Sequence, residues 1–385
     1  MVRVWAGALA AILAVGGAAA AQAGDTETCK SAETLLKNDP KKAVSACSRL
    51  AEHGEAWAQL QLARMYDNGE GVPQNYVVAA KWYRKAADQA NAEAQYNLFA
   101  MYHFGQGVQR DDEQALKWLQ KAADQNLSEA QRGLGLLHRD GQGVPQDYSK
   151  AREWFEKAAE QGNPAAESNL GEMYARGLGV PRDDAEALKW YRKAAAQGEV
   201  TAQYNIGRMY DDGRGLTEDN AEAVSWYRKA ADQGYAPAQL NLGVMYHDAE
   251  GVPQDYAEAV KWYGRAADQG TAAAQFNLGV VYYLGQGVQQ DLVKAEMWSI
   301  LASENSSPGS QRDNAIRNRD VMARKMTSAQ LEEARRLALE WKPHPVEIYN
   351  LRWKPVGGST TGPDALIVQL IEITCSMVCT RRSRG

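Results

Sequence analysis

The sequence predicts an all-α protein, an α-solenoid built from tandem helix-turn-helix units. Seven tryptophans stand 36 positions apart, namely Trp82, Trp118, Trp154, Trp190, Trp226, Trp262 and Trp298. An alanine series from Ala58 to Ala274 and a leucine or isoleucine series from Leu62 to Leu278 keep the same interval. A fixed period of this kind is typical of stacked helical repeats, and no insertion or deletion interrupts it over residues 54–305.

The first helix of each unit is predicted from apolar residues four positions apart, as in Ala58, Leu62 and Tyr66. This spacing places them on one helical face. Glycines such as Gly177 follow the helix, because glycine adopts the left-handed conformation at a helix end at little cost. Ala249 stands where the other units carry that glycine. A Val-Pro pair follows the loop in four units, and proline prevents the first helix from continuing.

The second helix of each unit begins at an aspartate or asparagine. Asp183 and Glu186 have the three-residue offset of a capping box. An apolar stripe follows at helical spacing, while Lys189 is expected to face water. We interpret the seven tryptophans as structural core that fills the space between helical layers, in preference to a cofactor or base-stacking role.

These residues resemble the Sel1-like repeat, a relative of the tetratricopeptide repeat. The resemblance rests on segments such as Ala202-Gln203-Tyr204-Asn205-Ile206-Gly207-Arg208-Met209-Tyr210 and Ala259-Val260-Lys261-Trp262-Tyr263, and it covers residues 54–305. It implies a right-handed superhelix of antiparallel helix hairpins whose curved inner face holds protein partners.

The repeats require closure at both ends, because a terminal repeat otherwise exposes an apolar side. Residues 24–53 are predicted to form N-terminal capping helices. Residues 306–342 are predicted to form C-terminal capping helices, with Thr327 and Gln330 as cap residues. Residues 343–385 are predicted to form an irregular tail to which we assign no function, since Cys375 and Cys379 alone make an incomplete metal site.

The N-terminal residues predict export from a bacterial cell. Arg3 precedes an apolar run, and Ala21-Gln22-Ala23 is a small-residue cleavage signature, so residues 1–23 are expected to form a signal peptide cleaved near Ala23. The alternative is an N-terminal membrane anchor. We expect a periplasmic or secreted protein without stable membrane insertion after cleavage. Export permits a disulfide between Cys29 and Cys47, and two buried free thiols are the alternative.

Composition and motifs argue against nucleic-acid binding and catalysis. The chain has 43 basic and 48 acidic residues, a formal charge of −5, and no basic patch of the kind that nucleic-acid binders carry. No nucleophile elbow, phosphate loop, dinucleotide fingerprint or His-Glu-x-x-His helix occurs. His103 and His247 occupy one repeat slot four units apart, so they cannot share a metal ion. We predict no enzyme activity, cofactor or metal.

Two slots of the first helix are candidates for partner binding. One slot carries asparagines that could hydrogen-bond an extended peptide, although each could instead bond an adjacent helix and fix the repeat geometry. These are Asn97, Asn169, Asn205, Asn241 and Asn277. The slot after the terminal aromatic residue varies strongly, and there we predict a partner-facing rim, with solvated loop chemistry as the alternative. Its members include His103, Arg139, Asp211 and His247.

The predicted function is that of an exported scaffold that holds a protein or peptide partner, as an adaptor or regulator in the envelope. One alternative is a β-lactam-binding enzyme like the cysteine-rich relatives of this family. Against it, residues 54–305 contain no cysteine, and no serine is followed three places later by lysine. Another alternative is a secreted effector that binds a host protein such as an immunoglobulin.

Overall fold

The computed structural model describes residues 23–32, 36 and 38–344, and the regular elements within these residues are all helices. Residues 23–30 are helical. The helices that follow are α1 Pro40–Glu52, α2 Ala56–Asn68, α3 Tyr76–Asp88, α4 Ala92–Phe104, α5 Asp112–Asp124, α6 Ser128–Asp140, α7 Tyr148–Glu160, α8 Pro164–Arg176, α9 Asp184–Ala196, α10 Val200–Asp212, α11 Asn220–Asp232, α12 Ala236–Asp248, α13 Tyr256–Asp268, α14 Ala272–Leu284, α15 Leu292–Asn305, α16 Ser310–Ala323 and α17 Ser328–Glu340. The predicted all-α repeat architecture is confirmed. Residues 1–22 of the predicted signal peptide and 345–385 of the predicted tail lie outside the described residues.

The chain divides into two compact units, unit 1 up to Trp154 and unit 2 from Phe155 onward. In unit 1, α2 packs on α3 and α4 on α5, while α1 packs on α2. In unit 2, the hairpin pairs are α8 with α9, α10 with α11, α12 with α13, and α14 with α15. Helices α16 and α17 pack on α15 at the end of the repeats. No helix in the described part of the chain combines the length and apolarity needed to cross a bilayer.

The turn after each first helix depends on positive backbone φ angles. Gly285 ends α14 with φ 70°, in the left-handed region that glycine adopts without strain. Gly287 follows, and a Cβ added there would lie 2.4 Å from the carbonyl oxygen of Tyr256, so this close approach requires glycine. Ala249 ends α12 in the same conformation, with φ 62°. The alanine therefore accepts backbone strain that the glycines avoid.

The deepest core position of the second helix is the residue after each tryptophan. Tyr83, Leu119 and Tyr227 are fully buried. Of the seven tryptophans predicted as core, Trp118 and Trp262 are buried, whereas five are half-buried: Trp82, Trp154, Trp190, Trp226 and Trp298. The prediction of core tryptophans is thus met in full by Trp118 and Trp262, while Trp82, Trp154, Trp226 and Trp298 pack against the core with part of their surface exposed. The half-buried indoles pack at its edge, where a cation three residues later can lie over the ring.

First and second helices approach closely because small residues face aromatic rings. A Cβ added to Gly207 would lie 2.7 Å from a carbon of the Tyr227 ring, and one added to Gly243 would lie 2.6 Å from the Tyr263 ring. These tyrosines are buried directly against the backbone of the first helix. A side chain at either glycine would separate the two helices.

The N-terminal segment is tied to α1 by a covalent bond and an ion pair. A disulfide joins Cys29 to Cys47, the pair that the sequence favours. The guanidinium of Arg49 forms an ion pair with Asp25 at 2.5 Å. Its hydrogen bond lowers the pKa of the Asp25 carboxyl, against a smaller opposing effect of desolvation. Both links lie between the segment at residues 23–30 and α1.

Candidate protein-interaction surface

A buried row of amides holds the repeats in register, at the fourth residue of each first helix. In unit 2, the Gln239 side chain donates to the carbonyl oxygen of Ala231 at 3.1 Å and accepts from Gln269 at 2.8 Å. In unit 1, Gln59 bonds Ala51 and Gln89 in the same way. The row, which we call the glutamine ladder, consists of Gln59, Gln95, Gln131, Glu167, Gln203, Gln239 and Gln275.

The glutamine ladder satisfies buried polar groups that would otherwise cost free energy. Sequence reasoning missed it, although glutamine recurs after the alanine of each first helix, with Glu167 as the exception. Its partner lies 30 residues away, as in the bond from Gln125 to Gln95 at 2.6 Å. The helical spacing used to place the apolar residues does not reveal such a partner.

The asparagine slot lies two residues after the ladder. Asn241 hydrogen-bonds the hydroxyl of Tyr227, and Asn277 hydrogen-bonds that of Tyr263, each on the preceding second helix. Asn97 is buried, and neither polar atom of its amide has a hydrogen-bond partner among the described residues. Asn169 and Asn205 are half-buried. The bonds of Asn241 and Asn277 favour a role in repeat geometry, and peptide binding by this slot stays a prediction.

The residues of the predicted rim each contact a neighbour in their own hairpin. His103 in unit 1 lies 3.2 Å from Asp112, and burial lowers the pKa of this histidine. Arg139 pairs with Asp140 at 2.7 Å.

In unit 2, Asp211 accepts a hydrogen bond from the Tyr227 hydroxyl at 3.1 Å. His247 contacts Asp248 at 2.6 Å and Gln286 at 3.3 Å. These contacts anchor Asp211 and His247, and the residues of this slot still differ in charge from repeat to repeat. The partner-facing role of this rim stays a prediction.

A more variable surface runs along the fifth and ninth residues of the first helices in unit 2. These positions lie four residues apart and therefore share a helical face. Their character changes from polar in α8 to apolar in α12 and α14. Ser168 and Tyr204 are buried and the others are half-buried. We call this surface the first-helix stripe; its members are Ser168, Glu172, Tyr204, Arg208, Leu240, Val244, Phe276 and Val280.

The first-helix stripe continues at its apolar end to Leu284, whose exposed fraction is 53%. Leu240 and Val244 also pack against the core formed by α13 and α14, so they keep only part of their surface for a partner. Sequence reasoning missed the stripe because it examined the asparagine slot and the rim. A signal was available in the sequence. The residue types at the fifth and ninth positions of the first helices vary from repeat to repeat, whereas the alanine, glutamine and leucine positions beside them hardly change.

The described residues contain no group of three or more histidine, cysteine, aspartate or glutamate side chains arranged to hold a metal ion. The chemistry that this surface offers is shape, apolar area and a few charged groups.

Comparison with known proteins identifies the family. The Sel1 repeat model matches seven consecutive segments, residues 58–91, 92–127, 128–163, 164–199, 200–235, 236–271 and 272–307. A solved Sel1 repeat protein from Oxalobacter formigenes is 37% identical, covers 74% of this chain and 84% of its own, and superimposes with a TM-score of 0.60.

A protective antigen of uropathogenic Escherichia coli with an SLR fold is 30% identical over 90% of this chain and 96% of its own, with a TM-score of 0.48. Yeast Tom70 is 14% identical over 74% of this chain and 60% of its own, with a TM-score of 0.44. No curated protein sequence matches the chain significantly. With seven tandem matches to its repeat model and a solved relative of the same kind, the chain belongs to the Sel1 repeat family.

Proposed function

We propose that this protein is an exported scaffold that binds a protein or an extended peptide along the first-helix stripe of unit 2. One observation carries the proposal. The glutamine ladder, the alanine and leucine rows and the small residues hold the helices in place, while the stripe changes from serine and glutamate to phenylalanine and valine. Rows that build the scaffold are nearly constant, and a surface that distinguishes partners must vary.

The stripe offers the two kinds of contact that protein interfaces combine. Val244, Phe276 and Val280 supply apolar area at one end. Arg208 and Glu172 supply opposite charges at the other end, where they favour one orientation of a bound chain. The complementary partner carries apolar anchor residues at one end of its binding segment and polar or charged residues at the other.

The proposal of export is supported by the N-terminal sequence and by a covalent bond. Arg3 precedes an apolar run that ends at an Ala-x-Ala signature. The Cys29–Cys47 disulfide is a bond that persists in oxidising compartments such as the bacterial periplasm. An adaptor or regulator of the cell envelope is the role that we propose on these grounds.

The binding surface is tested by site-specific photo-crosslinking. A benzophenone amino acid placed at Val280 should crosslink a specific protein from the envelope or medium of the source cells. The matched control is the same group at Lys189, an exposed residue of second helix α9 in the same unit. Equal adducts from both positions, or none from Val280, would count against the first-helix stripe as the binding surface.

A charge substitution gives an independent check of the same surface. Val280→Glu should reduce the captured partner several-fold, because a carboxylate would be buried against apolar anchors. Lys189→Glu should leave capture unchanged. If both variants retain the partner equally, the stripe is not the binding surface.

The export proposal has its own measurement. Mass spectrometry of the protein from the periplasm and the medium should find an N-terminus close to Gly24. Recovery of the chain in the membrane fraction with Met1 to Ala23 still attached would instead support the N-terminal anchor.

A further inference from the structure

A notch opens in unit 2 between second helix α13 and the following repeat. Its volume is about 420 Å³, and Gly264 lies at its edge. The aromatic side chains of Tyr282 and Trp298 line it together with Val260, and Asp268 stands at its rim. We call it the Gly264 notch. None of its lining residues belongs to the first-helix stripe.

Two other repeats fill the equivalent position with an arginine of their own that contacts the neighbouring tyrosine, whereas Gln120 and Glu156 stand at this position in two more repeats. Arg84 in α3 occupies the slot of Gly264, and its guanidinium carbon lies 5.6 Å from the Tyr102 ring centroid and 4.9 Å from that of Trp118. Arg84 also donates a hydrogen bond to the Tyr102 hydroxyl. Tyr282 and Trp298 are the counterparts of Tyr102 and Trp118, each 180 positions later.

A second repeat shows the same arrangement in part. The Arg228 guanidinium of α11 lies 5.6 Å from the Tyr246 ring centroid and donates to the Tyr246 hydroxyl. Arg192 of α9 holds the same slot but is exposed. The tyrosine of the following first helix is thus an acceptor for a guanidinium in α3–α4 and in α11–α12.

The aromatic pair of the Gly264 notch has no such partner in the described residues. A Cβ added to Gly264 would meet no atom within 4 Å, so the space above it is open. No hydrogen bond joins the Tyr282 hydroxyl to another described residue, since the neighbouring Lys325 donates to Tyr283 instead.

Trp298 also differs from the other tryptophans of unit 2. Lys193, Lys229 and Arg265 lie over the rings of Trp190, Trp226 and Trp262, at 4.1, 3.6 and 4.5 Å from the ring centroids. The residue at that offset from Trp298 is Leu301, which is buried. Among the described residues, the Trp298 ring carries an edge contact from Trp341 at 6.2 Å and no cation.

The cations around the notch are engaged elsewhere. Lys261 pairs with Glu258 on its own helix, and Arg265 covers Trp262. Lys294 lies 3.7 Å from Asp291 and 5.3 Å from the Tyr282 ring centroid, so it approaches one side of the notch. Asp268 also lines the notch and has no partner at salt-bridge distance among the described residues. Burial raises the pKa of its carboxyl, and His344, whose backbone N–H donates to the Asp268 carbonyl oxygen, lowers it by a smaller amount. A positively charged guest would supply the ion pair that this carboxylate lacks.

We propose that the Gly264 notch binds the arginine side chain of a partner polypeptide, with the guanidinium over Tyr282 and Trp298 and Asp268 as its counter-ion. The proposal rests on the proposed function in one respect, that the protein binds a polypeptide. Arginine is favoured over lysine because its guanidinium is planar and weakly hydrated. It can stack on the aromatic rings and donate a hydrogen bond to the tyrosine hydroxyl at the same time. The partner's arginine takes the place that Arg84 takes within α3–α4.

The test uses the mature full-length protein with N-acetyl-arginine-N-methylamide as the probe. Tryptophans are replaced by 5-fluorotryptophan, and the fluorine NMR signal of Trp298 is assigned with Trp298→Phe. We expect a saturable shift of this signal with a dissociation constant on the order of 10 mM, typical of one cation–π contact with a hydrogen bond. The lysine analogue should bind several-fold more weakly.

Two substitutions at one residue form the matched pair. Gly264→Arg supplies an internal guanidinium and should abolish the shift, whereas Gly264→Ala adds a methyl group in open space and should retain it. Tyr282→Phe should weaken binding by about two- to tenfold through the loss of one hydrogen bond. If Gly264→Arg fails to fold, Tyr282→Phe and Asp268→Asn test the same contacts without filling the notch.

The outcomes separate this inference from the proposed function. Absence of a saturable Trp298 shift, or an unchanged shift in Gly264→Arg, overturns the proposal that the Gly264 notch binds arginine. If crosslinking from Val280 persists in that case, the scaffold function stands without the notch. If the arginine probe binds but Val280 gives no adduct, the notch binds arginine and the first-helix stripe is not the partner-binding surface.

Discussion

Replacing Tyr227 with alanine should destabilise unit 2 more than replacing the neighbouring Trp226, although tryptophan is the larger side chain. Tyr227 is fully buried against the backbone of Gly207, and its hydroxyl donates to Asp211 at 3.1 Å. Trp226 is half-buried, with Lys229 3.6 Å from its ring centroid. Water can therefore occupy part of the space that the indole leaves, but little of the space that the phenol leaves.

The expected magnitudes follow from this difference in burial. Removing a buried aromatic side chain costs about 3–5 kcal/mol, and Tyr227→Ala should lie near the upper end because its hydroxyl contacts are lost as well. Trp226→Ala should cost about 2 kcal/mol, since roughly half of its apolar surface already contacts solvent. Tyr227→Phe should cost about 1 kcal/mol, because it removes the hydroxyl and leaves the packing.

Urea unfolding followed by circular dichroism measures these differences. The midpoint should fall in the order wild type, Tyr227→Phe, Trp226→Ala, Tyr227→Ala. The slope of each transition must be compared as well, because repeat proteins can lose cooperativity when one repeat is weakened. A Trp226→Ala midpoint below that of Tyr227→Ala would refute the assignment of the deepest core position.

Three further substitutions test local features. Ala249→Gly should raise the free energy of unfolding by about 1 kcal/mol, because glycine adopts the left-handed conformation without strain; an unchanged urea midpoint would contradict this. Burial raises the pKa of the Glu199 carboxyl in the folded state, so the folded state binds its proton more tightly than the unfolded state does. Stability therefore falls as pH rises from the unfolded pKa of about 4.3 through the folded pKa. Glu199→Gln should be more stable than wild type at pH 7 and equal to it below about pH 4, and a constant difference across pH would argue against this titration. Cys29→Ser with Cys47→Ser should lower the stability of unit 1 by about 3 kcal/mol, the loop-closure value for a separation of 18 residues. A reductant should lower the melting temperature of wild type but not of this double variant.

The helices and their ends could be predicted from the sequence because their causes are local. The Asp183 side chain accepts from the backbone N–H of Glu186 at 2.9 Å, which is one of the two bonds of the predicted capping box, while the Glu186 side chain pairs with Lys189 instead of closing the box. Thr327 and Gln330 form a reciprocal capping box at the start of α17. Each of these bonds joins residues three positions apart, so the pattern alone identifies both partners.

The depth of the tryptophans could not be predicted in the same way. Adjacent residues such as Trp226 and Tyr227 differ by about 100° around the helix, and both belong to a broad apolar face. Only the neighbouring first helix decides which of them is fully buried. Gly207 allows the Tyr227 ring to contact its backbone, and this places the tyrosine deeper.

The Gly264 notch could be predicted from the sequence only in part. The glycine is visible in the sequence as a departure from Arg84 and Arg228 at the same slot. Its consequence depends on Tyr282 and Trp298, which are 18 and 34 positions further along the chain. The contacts of Arg84 with Tyr102 and Trp118 in the folded protein show which interaction is missing at Gly264.

The glutamine ladder makes the number of repeats adjustable. The rung from Gln269 to Gln239 and the rung from Gln197 to Glu167 each span 30 residues and involve no third repeat. Excising residues 200–235 would remove one rung completely and leave both of these intact. Gln239 would lose the carbonyl oxygen of Ala231 as its acceptor, but a deletion of one whole period brings the equivalent residue Ala195 to the same place. A deletion of another length would bring a residue that is not equivalent and would leave the buried Gln239 amide without this acceptor. Duplication and loss of whole units are therefore the changes in length that this architecture tolerates.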